Sequence, residues 1–281
     1  MSQQPIIRKA SGEKEPFSFD KLEISLKRAG AKKDVINSVK EKIGELLYDG
    51  ITTQKIYKKA FELLRKERRS MAARYSLKKA IMQLGPTGYP FEHFVAQVLT
   101  AQGYKTKTGK ILQGYCVTHE IDVIATQDNR QYLIECKYYN SQGKHCGVQV
   151  PLYIHSRVND IIKKREQLSK FEDYRFEGWI VTNTRFTKDA TDYGKCSGLH
   201  LVSWDYPQKN SLKAMIEEHN IFPVTILTHL TKKDKEYLLK KGIVLCRQLQ
   251  KNPEMLNALN LKNKKKQNVL DEVEDLVLMD D

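Results

Sequence analysis

The 281-residue chain contains no apolar run approaching the ~18–20 residues that a membrane span requires. Its first residues, Met1-Ser2-Gln3-Gln4-Pro5, do not pair a basic stretch with an apolar core, so no secretory signal is expected. Cysteine is scarce: Cys116, Cys136, Cys146, Cys196 and Cys246 are the only five, and no two stand as C-x-x-C. An odd count without a signal points to free thiols in a reducing cytoplasm. His145-Cys146 has no partners at zinc-like spacing and reads as structural. A glycine-rich loop ending in Lys-Ser/Thr is also missing, which sets aside an ATPase motor of the Walker type.

Acidic excess is absent too. Lys and Arg total 48 against 34 Asp and Glu, a formal net charge of +14. Such a balance suits a polyanionic partner through phosphate neutralisation, although basic soluble proteins also carry solvated faces. The length predicts about two domains, and a hydrophobic content of 40% is enough to bury real cores.

The richest stretch runs from His119 to Lys137. His119-Glu120-Ile121-Asp122-Val123-Ile124-Ala125 and Gln131-Tyr132-Leu133-Ile134-Glu135-Cys136-Lys137 both read as strands, split by the polar turn Gln127-Asp128-Asn129-Arg130. Side chains alternate along a strand, so Glu135 and Lys137 share a face. A hairpin brings Asp122 beside them. Two carboxylates and a lysine on one patch suit Mg²⁺ and metal-assisted phosphodiester cleavage. An edge hairpin with a surface Glu/Lys pair has the same spacing, so the surroundings decide.

Those surroundings run in order: Pro90-Phe91-Glu92-His93-Phe94, Gly103-Tyr104, Gly114, Asp122, then Glu135 and Lys137. After them come Trp179-Ile180-Val181-Thr182-Asn183 as a core strand, Phe186-Thr187-Lys188-Asp189-Ala190 as a helix start, and Leu199 to Trp204 as a last strand. From Phe91 to about Trp204 the chain resembles the Mrr-like restriction endonucleases of the PD-(D/E)xK superfamily. The resemblance implies that Asp122 and Glu135 ligate Mg²⁺, with help from the Cys136 carbonyl. It makes Lys137 the catalytic lysine and Glu92 a helix carboxylate supporting the metal through water. A water attacks phosphorus, leaving a 5′-phosphate and a 3′-hydroxyl. The family often has glycine just before its Asp, where this chain has His119 and Glu120. Glu120 shares the strand face of Asp122, either as an extra site carboxylate or as a charge at the strand entrance.

The amino-terminal third reads as helical. A hairpin-like start (Ile6 to Phe19) precedes a helix from about Asp20 with Leu22, Leu26 and Ala29, stopped by Gly30. A second helix places Ile36, Val39, Ile43 and Leu46 on one face. Asp49-Gly50 ends it, and Thr52-Thr53 caps the next, which carries Ile56, Ala60 and Leu63. Another runs from Ser70 through Ala73, Leu77 and Ile81. Ile6 to Gly12, Phe17 to Leu22, Tyr48 to Ile56 and Ala73 to Leu77 together resemble an ATP-cone, a small regulatory domain that binds ATP or dATP. The resemblance implies nucleotide contacts at Ile7, Lys9 and Lys21. The family usually reads Lys-Arg before its turn, where this chain has Lys9-Ala10.

Loop 138–144 and the following helix, with Gln149, Arg157, Lys163, Lys164 and Arg165, lie where substrate contacts are common. Tyr153, Ile154, Val158, Ile161 and Ile162 read as the buried face of that helix. After Trp204, Asn210-Ser211 and Thr231 are helix caps, and short helices follow near Cys246–Leu249 and Met255–Leu259. The order loosely resembles a helix-hairpin-helix module, and a plain helical cap fits equally well. Lys262, Lys264, Lys265 and Lys266 form a basic run that reads as a solvated linker. Asp271, Glu272, Glu274, Asp275, Asp280 and Asp281 make an acidic end.

The expected fold is α/β: a helical ATP-cone (1–86), a restriction-endonuclease-like mixed sheet flanked by helices (87–208), and a small helical region (209–281). The expected function is Mg²⁺-dependent cleavage of DNA in restriction or host defence, tuned by ATP or dATP. Two sites for two strands suggest a homodimer, and no membrane attachment is expected. A structure-selective repair or junction nuclease is the near alternative. A nucleotide-sensing DNA-binding module without catalysis is the distant one.

Overall fold

The computed structural model describes residues 4–9, 12–141 and 143–277. Ala10 and Ser11 of the amino-terminal turn, Gln142 of the loop after the E-x-K strand, and Asp280 and Asp281 of the acidic end lie outside the described residues, as does Met1-Ser2-Gln3. The chain divides into two compact units, Met1–Ile81 with Val224–Tyr237 and Cys246–Asp281, and Met82–Pro223 with Leu238–Leu245.

In the first unit, β1 (Ile6–Arg8) and β2 (Lys14–Pro16) pair antiparallel, with Ile7 opposite Glu15. Helices α1 (Phe19–Arg28), α2 (Lys33–Gly44) and α3 (Thr53–Glu67) follow. Ser18 caps α1 and Thr52 caps α3, each hydroxyl accepting a backbone N–H three residues on. The expected apolar stripes are buried: Leu22 and Leu26, then Ile36, Val39 and Ile43, then Ile56, Ala60 and Leu63. The single helix expected from Ser70 to Ile81 is two, α4 (Arg69–Tyr75) and α5 (Leu77–Ile81). Ser76 sits at the break, its hydroxyl donating to Ala73 O at 2.8 Å, a side chain competing with the helix ladder.

The carboxy-terminal segments complete this unit. They are a 3₁₀ turn (Val224–Ile226), the start of α10 (Lys232–Lys240), α11 (Cys246–Lys251), a second 3₁₀ turn (Pro253–Leu259) and α12 (Asn263–Val277). The basic run is therefore largely the first turns of a helix and not a linker. An apolar stripe of Val269, Val273 and Leu276, all buried, runs beneath its charges. Lysines at the start and acids at the end oppose the helix dipole. The opposition is met locally: Arg68 makes two hydrogen bonds to the Asp275 carboxylate (2.8 and 3.3 Å), and Arg74 donates to Asp275 O at 3.1 Å.

The second unit is a sheet between helices. Its elements in chain order are α6 (Tyr89–Ala101), β3 (Lys105–Gln113), β4 (Thr118–Gln127), β5 (Arg130–Lys137), β6 (His145–Cys146), α7 (Gln149–Arg165), β7 (Arg175–Thr182), β8 (Arg185–Phe186), α8 (Lys188–Cys196), β9 (His200–Val202) and α9 (Leu212–Glu218), with a 3₁₀ turn at Ser169–Phe171. The sheet order is β3-β4-β5-β7-β9. The first three strands run antiparallel and the last three parallel, so the sheet is mixed as expected. β6 and β8 pair separately.

Near-continuous apolar runs in β5 and β7 reflect burial on both faces. α7 covers one of them: Ile154, Val158 and Ile161 join Ile121, Ile124, Leu133, Ile180, Leu199 and Leu201 in one cluster. A Cβ on Gly178 would lie 3.0 Å from the Val158 side chain, so glycine lets α7 approach. Tyr153 does not join that face. It is 58% exposed, because its ring lies against the Arg157 guanidinium, 4.6 Å from the ring centre.

Candidate active site

Ile121 and Ile124 both lie in the cluster under α7, although residues three apart on a regular strand face opposite sides. Alternation therefore breaks at Asp122-Val123. Opposite the break on β3 is Gly109, with φ +56°, between the pairs Thr108–Val123 and Lys110–Ile121. The register is the same on both sides of this point, so the distortion is a local twist at Gly109 and not an inserted residue, and it re-aims Asp122. Its Oδ2 accepts the Cys136 N–H at 2.7 Å, which ties it to the strand carrying Glu135 and Lys137.

Glu135 is 5% exposed. Lys137 Nζ lies 2.5 Å from its Oε1, and Arg157 of α7 lies 2.6 Å from its Oε2. Arg157 also donates to Glu120 O at 3.3 Å and to the Tyr153 hydroxyl at 2.7 Å. The end of β7 fixes the chain leaving Lys137. Thr182 donates its hydroxyl to Lys137 O at 2.7 Å. Asn183, 1% exposed, accepts the Tyr139 N–H and donates to Tyr139 O, as a neighbouring strand would.

Glu92 stands on the first turn of α6. Burial raises its pKa to about 7, with further upward pushes from Asp122, Glu120 and Glu135 and a downward one from Lys137. Burial and then Glu135 raise Asp122 to about 6, against the pull of the Cys136 N–H, Lys137 and Arg157. The structure thus brings Glu92, Asp122, Glu135 and Lys137 close enough to act on one another, and the cations present do not offset the carboxylates around Asp122 and Glu92. Among the described residues no three His, Cys, Asp or Glu side chains form a ready metal cage. A hard cation that keeps several waters and takes one or two carboxylates suits this donor set better than a closed site.

In the sequence Arg157 is only one basic residue of a helix, and Thr182 and Asn183 only the end of a core strand. The (i, i+4) spacing of Tyr153 and Arg157 was the available signal for the first pair. Nothing local marks Asn183 as a clamp, because its partner is 44 residues away.

In the helical unit, Lys9 lies 2.8 Å and Lys21 3.5 Å from Glu15, and Lys9 also pairs with Glu13 at 3.1 Å. The two lysines thus converge on one carboxylate. The Ile7 side chain is in the core, opposite Glu15 in register.

Comparison with known proteins gives three family matches. A model described as restriction endonuclease covers residues 85–206, the ATP cone domain covers 5–82, and AF1548-like, C-terminal covers 222–277. An uncharacterized protein of Archaeoglobus fulgidus is 34% identical over 185 residues, which span 65% of this chain and 99% of that protein. The crystal structure of a protein of unknown function, AF1548, is similar with a TM-score of 0.55 and 33% identity, over 68% of this chain and 98% of that one. The MspJI restriction endonuclease in complex with a 27-mer oligonucleotide matches at 14% identity and a TM-score of 0.34, over 62% of this chain and 36% of that one. The chain belongs to one family with the Archaeoglobus fulgidus protein, and it carries an ATP-cone domain ahead of an Mrr-like restriction-endonuclease domain of the PD-(D/E)xK type.

Proposed function

We propose that this protein is a Mg²⁺-dependent endonuclease that hydrolyses phosphodiester bonds of DNA, and that ATP or dATP bound to its ATP-cone adjusts the activity. One observation carries the reading. The Asp122 carboxylate is tied to the Cys136 N–H, on the strand that carries buried Glu135 and its partner Lys137, and burial with mutual repulsion pushes Asp122 and Glu92 towards neutrality, a cluster that calls for a cation.

Asp122 and Glu135 are the metal ligands in this reading. When bound, Mg²⁺ supplies Lewis acidity at phosphorus and lowers the pKa of a bound water. Asp122 has one oxygen engaged by the Cys136 N–H and presents the other. Glu135 has a cation on each oxygen and must release one of them to take part. Arg157 is held by two further acceptors, so Lys137 is the one released. Its ammonium then faces the attacking water and the phosphate, where it orients the first and offsets charge on the second. Glu92, protonated near pH 7, holds a water by hydrogen bond and gives up its proton at little cost. Attack of the water oxygen on phosphorus forms the new P–O bond and breaks the P–O3′ bond; the water gives one proton to solvent and the leaving O3′ takes one from solvent, leaving a 5′-phosphate and a 3′-hydroxyl.

The net charge of +14 draws an anionic strand towards this acidic centre. The match to a family described as restriction endonuclease supports a role in restriction or host defence. A homodimer would place two sites on two strands. Among the described residues no helix is long and apolar enough to cross a membrane; a cytoplasmic location is part of this reading. Lys9, Lys21 and the backbone at Ile7 are the proposed nucleotide contacts, with the phosphates taking the lysines from Glu15.

Supercoiled plasmid, modified and unmodified, incubated with Mg²⁺ and with or without ATP or dATP tests the reading. The intact protein is expected to cut, Asp122→Ala not to cut, and nucleotide to change the rate. Cleavage by neither protein, with DNA binding retained by both, would replace the nuclease with a binding module.

A further inference from the structure

β4 pairs with β5 only from Val123 to Gln127, but with β3 as far as Thr118. From Asp122 outward, β3 and β4 therefore run on beyond the β5 ladder as a two-stranded arm whose root is the proposed metal ligand. The arm is firmly held. Asp160 of α7 accepts the Cys116 N–H (2.9 Å) and the Val117 N–H (3.3 Å), its Oδ2 lies 2.8 Å from His119 Nε2, and its backbone carbonyl accepts the Tyr115 N–H at 2.9 Å. At Gly114 a Cβ would lie 2.1 Å from Asp160 Oδ2 and 2.6 Å from Val117 O, so only glycine admits this brace.

One face of the arm is spent on α7, with Leu112 against the core and His119 on Asp160. The other face carries Ile111, Gln113, Thr118 and Glu120, cross-strand partners in two pairs and all exposed. Ile111 is 74% exposed and Val117 near the tip 57%, an unusual place for β-branched apolar groups. The arm also carries the exposed Lys107 and Lys110, and the exposed Lys163 of α7 stands beside it. None of the three makes an ion pair among the described residues, and Lys163 lies 3.9 Å from the Tyr115 ring centre. A second copy of the same arm would bring these amines against their own kind, whereas a polyanion matches them.

The dimensions suit one occupant. A two-stranded ribbon fits the ~12 Å major groove of B-DNA. At ~3.3 Å per residue, Glu120 and its partner Ile111 lie about 7 Å along the arm from Asp122, and Val117 about 17 Å. With ~3.4 Å per base pair, those positions fall about two to five base pairs from the cut. An apolar side chain, an amide and a hydroxyl are groups that read base edges in that groove.

We infer that the β3–β4 arm lies in the major groove of duplex DNA beside the scissile phosphate. Ile111, Gln113 and Thr118 face base edges there, and Lys107, Lys110 and Lys163 neutralise phosphates. The inference rests on the nuclease reading above.

Two measurements on the full chain test it. With a 30-bp duplex end-labelled and cut by the intact protein, prior methylation of guanine N7 in the major groove should block cleavage when it lies about two to five base pairs to one side of the cut. Interference confined to minor-groove methylation, with cleavage intact, overturns the arm and leaves the nuclease standing. No binding and no cleavage by the intact protein sinks both. Separately, Ile111→Ser/Gln113→Ala should bind the duplex without Mg²⁺ about 10- to 100-fold more weakly at an unchanged melting temperature. Lys110→Gln/Lys163→Gln should lower the slope of log affinity against log salt by about two. Unchanged affinity in a folded variant, or loss of a dimer with affinity kept, contradicts the inference.

Discussion

Glu272 in the helical unit and Glu135 in the nuclease-type unit are both buried, and they are held in opposite ways. Glu272 is met by backbone dipoles: the Thr228 N–H at 2.8 Å from Oε1, the His229 N–H at 3.2 Å from Oε2, and the His229 ring nitrogen at 3.1 Å. Glu135 has two full cations and still lies among acids, with Asp122 and Glu92 pushed towards neutrality beside it. A carboxylate satisfied by dipoles fixes a chain crossing. Carboxylates crowded beyond their counter-charges form a centre that gains from a divalent ion, at some cost to the fold while the ion is away.

Substitution at both glutamates would break the comparison or sharpen it. Glu135→Gln should lower the cleavage rate by about 10³-fold, the scale of losing one preorganised electrostatic group. Glu272→Gln should leave the rate of the folded protein alone and cost about 2–3 kcal/mol of stability, because an amide N–H₂ turns towards donors. Equal rate losses at the two positions would mean that both are structural.

A smaller effect lies in pH. Asp122 and Glu92 have folded pKa values above those of the unfolded chain. Between about pH 4 and pH 7 the native state keeps protons that the unfolded chain has lost, and stability falls as pH rises. Asp122→Asn should therefore melt higher than the intact protein at pH 8, by roughly 1 kcal/mol after allowance for partial exposure. The gap should close towards pH 4. Added Mg²⁺ should raise the melting temperature of the intact protein more at pH 8 than at pH 5, and not that of Asp122→Asn. Smallest of all is the partly exposed Arg68–Asp275 pair. Its loss in Asp275→Asn should cost about 0.2–1 kcal/mol in thermal denaturation, with no change in cleavage.

The sequence announced the site's acids better than its supports. Asp122, Glu135 and Lys137 were legible because strand alternation and a short turn put them together. The amino-terminal helices were legible from their apolar period and from Thr52 as a cap. The local distortion that aims Asp122 was not, since Gly109 acts across a register that only the folded hairpin defines. Arg157, Asn183 and Asp160 escaped for the same reason, each acting on a partner 22 to 44 residues away. The helix at Asn263–Val277 was hidden because its charges outnumber Val269, Val273 and Leu276, and tertiary contacts from Arg68 and Arg74 hold what local preference opposes.

The central claim is that the crowded carboxylates at Asp122 form the metal-dependent hydrolytic centre. Its most direct test is the Mg²⁺-dependent cleavage rate of a defined duplex by the intact protein and by Asp122→Asn, measured from pH 5 to pH 8. The expected result is a rate that rises through about pH 6–7 for the intact protein and is lost in a variant that melts as high or higher. Equal, Mg²⁺-dependent cleavage by both proteins would contradict it.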